Sequence, residues 1–210
     1  MGDITIDTER FFARLCKLEE SLTSHKEALW DGMDALCIPS GPSDADTPYS
    51  KGAAMHLFLL GYEFPDSIML LTKGNFYFMA TAKKCKYLKE WVVDKQNENT
   101  NKIKIHLLER TKDDGENREL MHNLLGAARK NHGSKLGSLY KQDFQGKFIP
   151  GWMEMVKGSG LDMIEAAPSI GKFLSVKEES EIVSLLVYRR RGCYGLLNLT
   201  LLTSLSSPRR

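Results

Sequence analysis

The sequence predicts an α/β fold: a mixed sheet of about six strands layered between helices, three layers in all. Three observations lead there. Short apolar runs of strand length, such as Ser67–Thr72 (SIMLLT), alternate along the chain with stretches of helical periodicity. A tight turn, Lys73-Gly74-Asn75, joins two of the strands, so the sheet is not purely parallel. The composition, 42% hydrophobic and 27% charged over 210 residues, fits one globular domain of roughly 180 residues plus a tail.

Asp7 is placed to cap a long amphipathic helix over Thr8–Leu29. Phe11, Leu15, Leu18, Leu22 and Leu29 fall on its dry stripe, and Lys17, Glu19, Glu20 and Lys26 on its wet side. Met33–Ile38 reads as a first short strand. Ser40–Tyr49, rich in Gly, Pro, Ser and Asp, reads as a surface loop. Ala53, Ala54, Leu57 and Leu60 recur at helical spacing, which predicts a helix over Lys51–Leu60 stopped by Gly61. Ser67–Thr72 is expected to be a strand covered on both faces. Its hairpin partner is Asn75–Ala80, with Phe76 and Phe78 on one face and Tyr77 and Met79 on the other.

Thr81 is expected to cap a helix over Thr81–Lys95, with Cys85, Leu88 and Val92 inward and a lysine-rich outer face. Gln96–Asn101 is a polar loop. Ile103, Ile105 and Leu107 alternate with Lys102, Lys104 and His106, which predicts a strand over Lys102–Leu108 with one drier face. Asp113 or Asp114 caps a helix over Glu116–Lys130 that carries Leu120, Leu124 and Ala128. Lys135–Tyr140 is a further strand. Pro150 suits the first turn of a helix that carries Trp152, Met153 and Val156 and runs to about Lys157, ended by Gly158 and Gly160. Leu161–Glu165 is the last strand, and Pro168 opens a short helix through Leu174. Ser175 and Glu178 form a capping-box pattern ahead of a helix over Lys177–Ile182.

Residues 183–210 differ in character. They hold five arginines and no acid, so of the net charge of +2 the preceding residues carry −3. The apolar run after Gly192 is about 14 residues, short of the roughly 20 a membrane span needs. This segment is expected to lie outside the fold, as an alternative or mis-spliced end. The opening residues show no basic region followed by an apolar core, so no secretory leader is expected. Cys16, Cys37, Cys85 and Cys193 show no paired spacing, which suits free thiols in a reducing, intracellular compartment. A mildly acidic domain is a poor candidate for direct DNA binding.

Few residues offer chemistry. Gly74 and Asn75 could meet a ligand, but a hairpin turn accounts for them. Cys85 could be a nucleophile and His56 a ligand, yet both sit on or beside apolar helix stripes, where core packing is the simpler account. Asp44, Asp46 and Asp66 are loop acids without a partner set at metal-binding spacing. Lys83, Lys84 and Lys86 form a basic run that could meet an acidic partner and is more simply a solvated helix face. No phosphate-binding, nucleophile-elbow or zinc-protease motif occurs. The residues thus point to no catalytic, cofactor-binding or metal-binding site, and to no cofactor.

Leu59-Leu60-Gly61-Tyr62-Glu63-Phe64-Pro65-Asp66-Ser67-Ile68-Met69 resembles a stretch in the N-terminal lobe of the large subunit of the FACT histone chaperone. Around it, the long first helix, Asp34-Ala35 entering a strand, Lys51-Gly52-Ala53-Ala54 and the basic Lys83–Lys86 segment stand in matching order. Val176–Ile182 resembles the step into that family's following lobe, so the resemblance covers about residues 5–182.

It implies a creatinase/aminopeptidase N-terminal-domain-like fold. It also implies a non-enzymatic role in the FACT complex, at the chromosome in the nucleus. The implied partners are core histones or the nucleosome, with the small FACT subunit engaged through other regions, and no membrane. The implied processes are nucleosome disassembly and reassembly during transcription, DNA replication and DNA repair. The alternative is the N-terminal lobe of a metal-dependent aminopeptidase of the same superfamily, with its metals in the next lobe. A third reading is a stand-alone hydrolase using Cys85 or His56.

Overall fold

Tyr77 and Met79 face one way and Phe76 and Phe78 the other, and this alternation divides the molecule into its layers. A computed structural model describes residues 5–42, 50–93, 103–130 and 135–176. Its elements are α1 (Thr8–Ser24), α2 (Lys26–Trp30), β1 (Ala35–Ser40), α3 (Lys51–Leu60), β2 (Ser67–Thr72) and β3 (Asn75–Thr81). Then follow α4 (Ala82–Leu88), β4 (Lys104–Arg110), α5 (Asp114–Lys130), β5 (Lys135–Ser138), α6 (Phe148–Gly158), β6 (Asp162–Glu165) and α7 (Ala167–Ser175). The chain divides into two compact units, Met1–Gly171 and Lys172–Arg210, and the second is described only through Val176.

The strands form one six-stranded mixed sheet in the order β4-β3-β2-β1-β5-β6. β1, β2 and β3 are antiparallel neighbours, with Leu36 opposite Leu71 and Ile68 opposite Met79. β4 joins β3 in parallel, β5 joins β1 in parallel and β6 joins β5 in parallel. Ala35, Cys37, Ile68, Leu70 and Met79 pack against Leu124 and Leu125 of α5 and Trp152 and Val156 of α6. On the opposite face Phe76 meets Phe11 of α1 edge-on at 5.8 Å, and Phe78 meets Phe64 at 5.9 Å. These are the three layers and six strands the sequence predicts. β2, at the centre, is buried along its whole length.

Two elements keep their predicted bounds because their ends are chemically marked. The Ser50 hydroxyl accepts from the Ala53 N–H at 3.0 Å to open α3, and Gly61 closes it at φ 74°. Ser67–Thr72 is bounded by the 64–66 turn and by the Lys73-Gly74 hairpin, where Gly74 holds φ 75°.

Elsewhere the structure corrects the expectation. The first helix is not continuous to Leu29 but breaks at His25 (φ −113°). Thr23, Ser24 and His25 are poor helix formers, and the Thr23 hydroxyl turns back to the Glu19 carbonyl. The first strand is Ala35–Ser40 rather than Met33–Ile38, and Met33 is fully buried just ahead of it.

Thr81 holds the N-cap position of α4 without a side-chain cap bond. After Leu88 the helix widens to a π-turn over Lys89–Val93, and the Thr8 hydroxyl donates to the carbonyl of Trp91 within it. β4 runs Lys104–Arg110 and shows no drier face, since an edge strand leaves Ile105, His106, Leu107 and Leu108 all half-buried. β5 ends at Ser138. Pro150 lies inside the first turn of α6, which begins two residues earlier at Phe148. Most of the 40–49 loop, the 96–101 loop, the helix expected over Lys177–Ile182 and residues 183–210 lie outside the described residues. No described helix is long and apolar enough to cross a membrane.

Candidate functional site: a cationic groove at the ends of β3 and β4

β3 and β4 are parallel, so their carboxyl ends open on the same edge of the sheet. In open α/β sheets the crevice beyond such ends is where ligands tend to bind. Here it is a groove of about 1120 Å³, closed by the start of α4, the start of α5 and the first turns of α6. Its apolar lining comes from Met121, Phe148 and Met155. Its cations are Lys83, Arg110, Lys112, Arg118 and Lys147, drawn from four separate segments. Asp66, Asp114 and Glu154 are the acids of the wall, so positive charge exceeds negative by two among the lysines, arginines and acids that line it.

Local hydrogen bonds fix the segment that delivers these cations. Asn117, buried on α5, clamps Thr111 from both sides: its Oδ1 accepts from the Thr111 N–H and its Nδ2 donates to the Thr111 carbonyl, each at 3.0 Å. Asp113 Oδ1 accepts from the N–H groups of Gly115 and Glu116 at 2.7 and 3.0 Å, capping α5. The β4–α5 turn is thereby held, with Arg110 and Lys112 on either side of the clamped residue. The Arg110 guanidinium lies 4.3 Å over the Phe148 ring, and its Nη1 is buried with no hydrogen-bond partner.

Lys84 stands behind this wall. It is half-buried and donates to the Pro65 carbonyl. Burial lowers its pKa, Asp66 raises it in part and Arg110 lowers it further.

Of the described residues singled out in the sequence, only Lys83 and Asp66 line the groove. Asp66 adopts φ 49°, a left-handed conformation Asp tolerates, and its N–H donates to the Gly41 carbonyl at 2.9 Å. The basic run is therefore not one solvated face: Lys83 faces the groove, Lys84 is tied to Pro65, and Lys86 pairs with Glu90 at 3.7 Å in solvent.

His56 is fully buried and accepts the Phe64 N–H at Nδ1. Cys85 is buried against the carbonyls of Ala80 and Leu108, and burial pushes its thiol up to about 11. Burial pushes Cys37 up to about 12. Gly74 and Asn75 are turn residues: the Gly74 N–H donates to Glu19, and Asn75 Oδ1 lies 3.0 Å from His106 Nε2. Asp44 and Asp46 lie outside the described residues. Among the described residues no group of three or more His, Cys, Asp or Glu side chains could hold a metal ion.

Arg110, Lys112, Arg118 and Lys147 were not legible as a set, because they are scattered over three segments. The available signal was that both strands of a parallel pair run into basic residues, Lys83-Lys84 after β3 and Arg110-Thr111-Lys112 at the end of β4. It becomes readable only once the pairing is known.

The family model described as "FACT complex subunit SPT16 N-terminal lobe domain" matches residues 6–168. The FACT complex subunit SPT16 of Arabidopsis thaliana is 30% identical over 86% of the chain, and the FACT complex subunit ctc-2 of Neurospora crassa is 32% identical over 99%. The chain spans about a fifth of the length of these curated relatives: 17% of the first and 20% of the second. The N-terminal domain of FACT complex subunit SPT16 from Eremothecium gossypii superposes with a TM-score of 0.79 at 30% identity, over 94% of this chain and 44% of that one. The corresponding chickpea domain gives 0.76 at 26% identity, over 85% and 41%. An X-Pro aminopeptidase from Thermotoga maritima shares the fold alone, with a TM-score of 0.52 at 12% identity over 78% of this chain and 37% of that one.

Proposed function

The chain belongs to the FACT complex subunit SPT16 N-terminal lobe family, and from that premise we propose that it is a non-enzymatic binding lobe of the FACT histone chaperone. In this reading it contacts core histones or their partners while nucleosomes are taken apart and rebuilt during transcription, DNA replication and DNA repair. It acts in the nucleus, at the chromosome. The small FACT subunit belongs to the same assembly and is engaged through regions other than this lobe.

The observation that carries the reading is the family match across residues 6–168, joined to the superposition on two SPT16 N-terminal domains. Charge supports it in a general way: the residues before Val183 carry a net −3, which suits a basic partner. The buried, proton-holding thiols of Cys37 and Cys85 and the buried His56 argue for packing roles rather than catalysis. The likeness to the aminopeptidase is one of fold, and a fold does not carry an activity with it.

The test is retention of purified core histones by the full chain over a salt series. Retention at low salt that is lost as salt screens the contact supports a histone surface on the lobe. No retention at low salt overturns direct histone contact by this chain.

A further inference from the structure

We propose that the groove at the carboxyl ends of β3 and β4 is a docking site for an acidic peptide segment of a partner protein, with Arg110 receiving a carboxylate of that segment. Three features converge. The guanidinium of Arg110 lines the groove, is positioned by stacking on Phe148, and leaves Nη1 buried without a hydrogen-bond partner. A buried charged donor lacking a partner is costly, and a carboxylate matches the fork geometry of a guanidinium. Lys112, Arg118 and Lys147 are exposed on the same wall, and among the described residues none has an ion-pair partner. The clamp of Asn117 on Thr111 pre-sets the segment, so little ordering is required on binding.

The occupant follows from the lining. The volume of about 1120 Å³ is at the upper end of small-molecule pockets and suits a stretch of chain. Met121, Phe148 and Met155 offer apolar surface that a peptide side chain can cover. A nucleic acid fits less well. It presents phosphates at every step, and Asp66, Asp114 and Glu154 stand in the same wall, on a domain that is net acidic before its last residues. The groove is also the wrong sign for a basic histone segment, so this inference stands apart from the histone reading and can fail or hold without it.

The test is fluorescence anisotropy of a labelled Glu/Asp-rich peptide carrying one leucine, titrated with the full chain at several salt concentrations, with a duplex oligonucleotide as the second probe. The variants are the surface triple Lys112→Glu/Arg118→Glu/Lys147→Glu and the single Arg110→Gln, each checked by thermal melting. The expected result is peptide binding that weakens with salt and falls about tenfold or more in the triple variant while its melting is kept. Arg110→Gln should lose binding as well, and should do so even at high salt, where the screened surface charges contribute least. If Arg110→Gln does not fold, the triple variant decides. The proposal is overturned if the peptide does not bind, if the triple variant binds it as tightly as the native chain, or if the duplex binds the groove more tightly than the peptide.

Discussion

The main-chain N–H of Phe64 donates to Nδ1 of His56 across 3.0 Å, in a site fully closed to water. With Nδ1 accepting, the proton of the neutral ring sits on Nε2, which is buried with no hydrogen-bond partner. Protonating the ring would set a donor against the Phe64 donor and would bury a charge. Burial first, and the charge of Lys84 second, push the His56 pKa down from 6.5 to about 3.

A pH dependence of stability follows. The unfolded chain takes up a proton on His56 as pH falls through 6.5, and the folded chain declines it until about 3. The unfolded state therefore binds more protons in that window. The contribution of His56 is fully present above 6.5 and falls by up to about 1.4 kcal/mol per pH unit below it. Urea denaturation at a series of pH values should show this slope. His56→Asn, which keeps an acceptor for the Phe64 N–H, should flatten it. Parallel profiles for the two proteins would mean that the buried ring titrates normally.

The region around His56 also shows why part of the fold could be read in advance. α3 and β2 are bounded by residues whose chemistry is local: Ser50 caps, Gly61 adopts a left-handed conformation and Gly74 turns the hairpin. Such signals survive in a one-dimensional string. The break at His25 depended on a balance between weak helix formers and a continuing apolar stripe, and the stripe alone suggested continuity. Met33 looked like a strand residue because it is apolar, yet its side chain fills space beside β5, about a hundred positions further along. The groove depended wholly on which strands lie side by side. Arg110 and Lys147 come together only because β4 ends and α6 begins on the same side of the sheet.

Cys85 and Cys37 should be protected from alkylation in the folded chain. Their thiols are buried, and burial pushes them up to about 11 and about 12. At neutral pH the Cys85 thiol therefore stays protonated and a poor nucleophile. Among the described cysteines, Cys16, half-buried on α1, should react first. Peptide mapping after a short iodoacetamide exposure, with and without denaturant, reads this directly. Fast labelling of Cys85 in the folded chain would contradict its burial and reopen it as a nucleophile. A protected Cys85 removes Cys85 as the nucleophile of the hydrolase reading.

Gly137 lies in β5, paired on both sides, with Leu36 of β1 and Ile164 of β6 as its register partners. A Cβ added there would stand 2.2 Å from Sδ of Met33 and 3.1 Å from its Cγ. Met33 is fully buried, so its side chain would have to shift within the core to make room. Gly137→Ala should therefore destabilise the fold by about 1–3 kcal/mol through overpacking rather than through a lost contact. The distinction is measurable in a double-mutant cycle. Met33→Ala alone should cost about 2–5 kcal/mol by leaving a cavity. The double variant should be less destabilised than the sum of the singles, because the new methyl occupies part of the space Met33 vacates. Simple additivity would show that the two residues do not share that space. β5 would then tolerate a side chain at 137, and the close approach of Met33 would not be what requires glycine there.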